Sequence, residues 1–268
     1  GIAVCMLALA APRAMAKTYE VGTEDKFAEA VQEINKKSSD TENEIVLTQD
    51  ITLGGNPNEY TLYTLSRGNT TIRGGGNKIT ISNAGITVAK KGTVLNLGEK
   101  GYKGTLTIDG KTSGGFVSVL EGATANMYEH VTLQNWKSAG NACVVIMGSE
   151  SVFNMHGGVI EECSRAVMAD SGTTFNMYGG EIRNREGSRG SGVHVFEATF
   201  VMSGGTISGC TANAGGGLYA TNGSTININR GTISGCTADA GGGLYATNGS
   251  TININNGTIS GCKARMGT

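Results

Sequence analysis

The chain has 268 residues, of which 43 are Gly and 2 are Pro, where average usage would give about 19 and about 13. A glycine excess without a Gly-X-Y period and without proline excludes collagen, and 16% charged with 38% hydrophobic residues excludes an intrinsically disordered chain. Lys plus Arg total 21 against 22 Asp plus Glu, a formal net charge of −1, so no basic field exists to draw nucleic acid or anionic lipid.

The first segment is an apolar run from Ile2 to Ala11 followed by Ala14-Met15-Ala16, the A-x-A form of a signal-peptidase site. At about ten residues the run is too short to span a bilayer, and no later stretch approaches membrane-spanning length. The expectation is a signal peptide over 1–16, truncated at its N-terminus, and one exported domain over 17–268, secreted or held at the cell surface. Losing Cys5 with the signal leaves an odd five of the six cysteines, so at least one has no partner within the chain. No C-x-x-C pair occurs and the three histidines are dispersed, which argues against zinc; no metal or cofactor is expected.

Next in order, residues 23–37 read as an amphipathic helix. Phe27, Ala30, Val31 and Ile34 share a face, Glu24 and Asp25 begin it, and Lys36 and Lys37 end it. Strand-like pieces follow at 45–47, 51–53, 71–72, 79–81 and 106–108.

The C-terminal part repeats. Residues 206–231 and 232–257 are 26-residue units that differ only at Asn213/Asp239 and Arg230/Asn256, and a third copy begins at Thr258. Walking backwards, the frame persists as FVMSGG, FNMYGG, FNMHGG and ANMYEH, so that Phe153, Phe175, Phe200, Ile226 and Ile252 recur at gaps of 22, 25, 26 and 26. Apolar residues alternate with polar ones at period two, and Gly, Asn and Ser clusters punctuate them. Short strands at this repeat length fit a parallel β-helix; a propeller blade needs about 40–45 residues, and the leucine-rich spacing is absent. The fold class expected is all-β, a right-handed parallel β-helix, with the N-terminal helix laid across its open end.

Alternation assigns the faces. Phe153 with Met155, Phe175 with Met177, Phe200 with Met202, Ile226 with Ile228 and Ile252 with Ile254 point inward. Outward run Asn126, Asn154, Asn176, Asn227 and Asn253, interrupted by Val201, and beside them Tyr128, His156, Tyr178, Ser203, Asn229 and Asn255. Tyr219 and Tyr245 are expected outside, one coil apart. Their rings, with the amides of Asn227, Asn229, Asn253 and Asn255, form a candidate surface for sugar rings and hydroxyls, although such stacks also stabilise solenoids by themselves.

The pairing of TISGC with GGGLYA resembles the FxxN and GGA(I/L/V) repeats of chlamydial polymorphic outer-membrane proteins. FNMYGG followed by TISG resembles repeats in large surface proteins of gut bacteria. The resemblance covers the chain from about Met127 to its end; it implies the right-handed parallel β-helix class related to pectate lyases, and an adhesin-like role. Where the motif ends in Asn, this chain has Cys163, Cys210, Cys236 and Cys262, with Asn135 as the earlier family-like occupant. TIRGGGNKITI at 71–81 resembles the first coils of pectin-degrading β-helices.

Chemistry is sparse. A polysaccharide hydrolase of this class needs paired carboxylates on one face, and the tripeptides NTD and GHG and the pair DD are absent. Glu161 and Arg183, on adjacent coils at one outward column, are the best catalytic candidates and read first as an exposed ion pair. His130, His156 and His194 have no Ser or Cys partner at a recognisable spacing, and Gly215 to Gly217 and Gly241 to Gly243 read as turn glycines. The stacked cysteines, Cys163 included, are expected to form a buried, mostly reduced ladder, with a Cys210–Cys236 or Cys236–Cys262 bridge as the alternative that export keeps open. The function expected is an adhesin-like stalk or binding surface without catalysis, its partner an extracellular glycan or host surface. The alternatives are a polysaccharide lyase or glycoside hydrolase with its site between about Gly68 and Arg189, or a passive carbohydrate-binding module.

Overall fold

The computed structural model describes residues 16–56, 58–111, 117–136, 142–184 and 191–265; the expected signal peptide, Ala16 apart, lies outside them. Strand Lys17–Val21 pairs in parallel with Glu42–Leu47, and between them runs helix α1, Glu24–Asn35. From Glu42 onward the chain winds into a parallel β-solenoid of about nine turns.

Each turn carries up to three strands. The first face is built from Glu42–Leu47, Asn69–Arg73, Val94–Leu97, Thr124–Met127, Val152–Met155 and Thr174–Met177. The second is built from Ile51–Leu53, Lys78–Ile81, Leu106–Asp109, Val131–Gln134, Val159–Glu161 and Glu181–Arg183. Thr199–Ser208 and Thr225–Ser234 run through both faces as single long strands, and Thr251–Ile254 with Thr258–Ser260 close the series. The third face stacks eight strands from Thr61–Leu65 to Leu244–Ala246.

Register follows the alternation. Phe153, Phe175, Phe200, Ile226 and Ile252 are directly paired, and the column continues upward through Ala125 and Leu95. The phenyl rings stack at 5.3 and 5.0 Å between centroids. All of this column from Leu95 to Ile226 is fully buried, and a fully buried Phe contributes about 3–5 kcal/mol over Ala.

The bend between first and second faces requires glycine. Gly158, Gly180, Gly205 and Gly231 have φ of 82°, 84°, 81° and 101°. A Cβ on each would also lie 2.7 Å from the Cε of Met127, Met155, Met177 and Met202 respectively. The core methionine of one coil therefore fills the place of the side chain that the next coil's bend lacks.

Helix α1 spans the open end as expected. Thr23 caps it by accepting from the Lys26 N–H, and Phe27, Ala30, Val31 and Ile34 are buried. Phe27 meets Tyr63 edge-on at 5.3 Å. Asn35 donates to the Thr64 carbonyl at 2.7 Å and accepts from the Ser66 N–H at 2.8 Å, so it satisfies an edge that no further strand covers among the described residues.

Two expectations about the cysteine column are corrected. Ser164 N–H donates to the Trp136 carbonyl as Thr237 N–H donates to that of Cys210, so Trp136, not Asn135, occupies the column; Asn135, at φ 68°, shares the left-handed corner with Glu162 and Gly209. Cys163 is not a reduced rung: it is bonded to Cys143, with a Cα–Cα distance of 6.2 Å. Cys143 starts the third face one coil earlier and reaches Cys163 across the interior instead of along the column. Cys210, Cys236 and Cys262 are free thiols, the first two buried.

Candidate functional site

Glu161 and Arg183 are direct register partners on the second face. Arg183 Nε donates to Glu161 at 2.7 Å and its Nη1 to Glu181 at 3.2 Å, with the guanidinium side chain half exposed. The Glu161 carboxylate raises the Arg183 pKa above its ordinary value. With Glu162, Asn184, Ser208 and Gly209 they line a cleft of about 350 Å³. In this cleft a guanidinium lies between Glu161 and Glu181, where paired carboxylates of a glycosidase flank the sugar bond.

Above the cleft on the same face, burial pushes the Asp109 carboxyl up. Hydrogen bonds from Gln134, Asn135 and the Lys111 N–H, with the charge of Lys78, outweigh this and hold it below its usual value. Asp109 is thereby a corner brace.

The tyrosines share an outward column of the third face with Met168 and His194. Tyr219 and Tyr245 stack at 5.7 Å and 14°, and His194 meets the Tyr219 ring edge-on at 5.0 Å. Enclosed between two rings, Tyr219 is only 8% exposed, against the expectation that its face is open; Tyr245 is half-buried.

The asparagines on the first face form amide ladders. Asn253 donates to Asn227 at 2.9 Å and Asn255 to Asn229 at 2.8 Å. The earlier run Asn96, Asn126, Asn154, Asn176 is linked in the same way at 2.8 to 3.0 Å. A ladder bond uses one of an amide's two N–H groups and one of its two carbonyl lone pairs; Asn96 spends its second N–H on Thr71 at 3.2 Å.

One arrangement was legible as a column but not as a stack. Tyr128, His156 and Tyr178 lie face to face with centroids 5.0 Å apart and ring planes within 12° and 9°. Partial burial lowers the His156 pKa below its ordinary value. Because the rings cover one another's faces, only the ends of the stack offer a free aromatic face. Tyr178, 48% exposed, is one end.

No protein-family model matches this chain, and neither a curated protein nor a solved structure does. The likeness to chlamydial and gut-bacterial repeats is carried by the quoted residues alone.

Proposed function

We propose that the chain is a secreted or cell-surface β-helix that serves as an adhesin-like stalk or binding surface for an extracellular glycan or host surface, without catalysis of its own. The observation that carries this reading is the repetition of the outer face. The same polar side chains recur coil after coil and bond to their own copies, as in the Asn227–Asn253 and Asn229–Asn255 pairs. A catalytic pocket needs unlike groups converging on one point, whereas copied columns suit many weak, identical contacts.

The cleft at Glu161 and Arg183 favours a second reading, a polysaccharide lyase or hydrolase. Incubation with neutral and acidic polysaccharides, assaying reducing ends and unsaturated products, separates the two. The proposal expects none; turnover that disappears in Glu161→Gln or Arg183→Ala would establish the enzyme instead.

A further inference from the structure

Both outward columns of the first face are interrupted on the same coil. The amide ladder ends at Asn176, whose register partner is Val201, and resumes at Asn227. The ring stack ends at Tyr178, and the corresponding place on the next coil, one past the Met177–Met202 pair, is Ser203. Val201 brings no hydrogen-bonding group and Ser203 no ring, and both are partly exposed, so on this coil one ladder lacks its amide and the neighbouring one its ring.

The groups bordering the gap are unmatched. Asn176 donates upward to Asn154, and among the described residues nothing donates to its own Oδ1. Asn227 accepts from Asn253, while its Nδ2 has only Val201 above it. The lower face of Tyr178 looks over Ser203 instead of a fourth ring. Arg230, exposed and backbone-paired with Ser203, borders the same gap and forms no ion pair among the described residues. It is also one of the two positions at which the near-identical units differ, Asn256 being its counterpart.

We propose that this gap is a binding site for a pyranose ring bearing a carboxylate, which takes the place of the missing ring at Ser203. The inference rests on the reading of the chain as a glycan-binding surface. The stack repeats at 5.0 Å, so a ring lodged at the level of Ser203 lies at ordinary stacking distance below Tyr178, its C–H face against the aromatic face. Asn176 Oδ1 then accepts from one sugar hydroxyl and Asn227 Nδ2 donates to another. The planar guanidinium of Arg230 pairs with the carboxylate.

The test is calorimetric titration of the full chain with a hyaluronan hexasaccharide and with sialyllactose, which carry the carboxylate on different sugars, and with lactose and cellohexaose as neutral controls. Binding of one carboxylated probe is expected, and which one identifies the sugar. Ser203→Tyr, which fills the gap with a ring of the protein's own, and Tyr178→Ala, which removes its wall, should each weaken it about tenfold or more. Arg230→Asn, which copies position 256, should weaken the carboxylated probe about tenfold and leave neutral sugars unchanged. Val201→Asn, which restores the amide ladder and so occupies Asn176 Oδ1 and Asn227 Nδ2, should weaken binding with an unchanged melting temperature, separating loss of these two partners from misfolding. Undiminished binding in Ser203→Tyr and Val201→Asn would overturn the site while leaving glycan binding elsewhere on the surface intact. Absence of binding by every probe would overturn the site, and with it the glycan reading on which it rests.

Discussion

At the scale of single residues, the cysteines show how position decides chemistry. Cys143 stands in a column that continues as Ala166, Gly192, Gly217 and Gly243, since the residues that follow each are register partners. Its bond to Cys163 is thus one instance of a geometry that recurs in later coils with glycine in place of one cysteine. A Cβ on Gly243 would lie 3.1 Å from Cys262 Sγ, close to the ~3 Å that a Cβ keeps from its partner's sulfur in a disulfide. Gly243→Cys should therefore cross-link to Cys262 in air; peptide mapping without reductant reads the bond, and a freely alkylated pair would contradict the column geometry. In the wild type, hydrogen bonding to Cys236 and burial both push the Cys210 thiol up, and this thiol should resist alkylation until the chain unfolds. The bend glycines are equally specific. Gly180→Ala adds strain at φ 84° and sets its Cβ 2.7 Å from both Met155 Cε and the Gly158 carbonyl; a loss on the order of 2 kcal/mol or more is expected in denaturant unfolding. Little of the disulfide was legible in the sequence: spacing placed Cys163 in the correct column, but its partner lies on another face, and no periodicity links the two.

At the scale of elements, the helix at the open end has a defined pH dependence. Burial pushes the Glu24 carboxyl up, but hydrogen bonds from the Tyr63 hydroxyl at 2.5 Å and from the N–H groups of Gly54 and Gly55 prevail, so its folded value is below the ordinary 4.5. A depressed carboxyl stabilises the fold in full above the unfolded value and loses that contribution as pH falls through the folded one. Thermal melts of the wild type should therefore fall below about pH 4.5, and Glu24→Gln should be less stable at neutral pH with a flatter acid limb; parallel acid limbs in the two proteins would refute the assignment. This helix was readable because its 3.6-residue stripe and capping Thr23 are local signals. The strands with strict alternation, such as Phe153 with Met155, were readable for the same reason. Lys17–Val21, Thr61–Leu65 and Ala84–Ala89 were not. Lys17–Val21 and Thr61–Leu65 expose most of their side chains or bury few, and Ala84–Ala89 is buried on both sides, so none displays a contrast between its faces. In the site, the column Tyr128, His156, Tyr178 was visible as spacing, whereas the mutual covering of ring faces and the burial of Tyr219 depend on side-chain packing that spacing does not encode.

For the whole molecule, the two nearly identical units imply modularity. Deleting 232–257 joins residue 231 to Thr258, which begins the same motif, so every column stays in register. The shortened chain should fold with one coil fewer and an unaltered circular dichroism spectrum per residue, because each coil bonds only to its neighbours. Loss of cooperative unfolding on that deletion would show that stability is not distributed along the stack. The central claim, a copied outer face that holds glycan without cleaving it, is tested most directly by assaying one incubation of the full chain with immobilised polysaccharides for both retained protein and released sugar. Retention on at least one polysaccharide with no reducing ends or unsaturated products is the predicted result; released sugar that requires Glu161 or Arg183, or no retention on any polysaccharide, would contradict it.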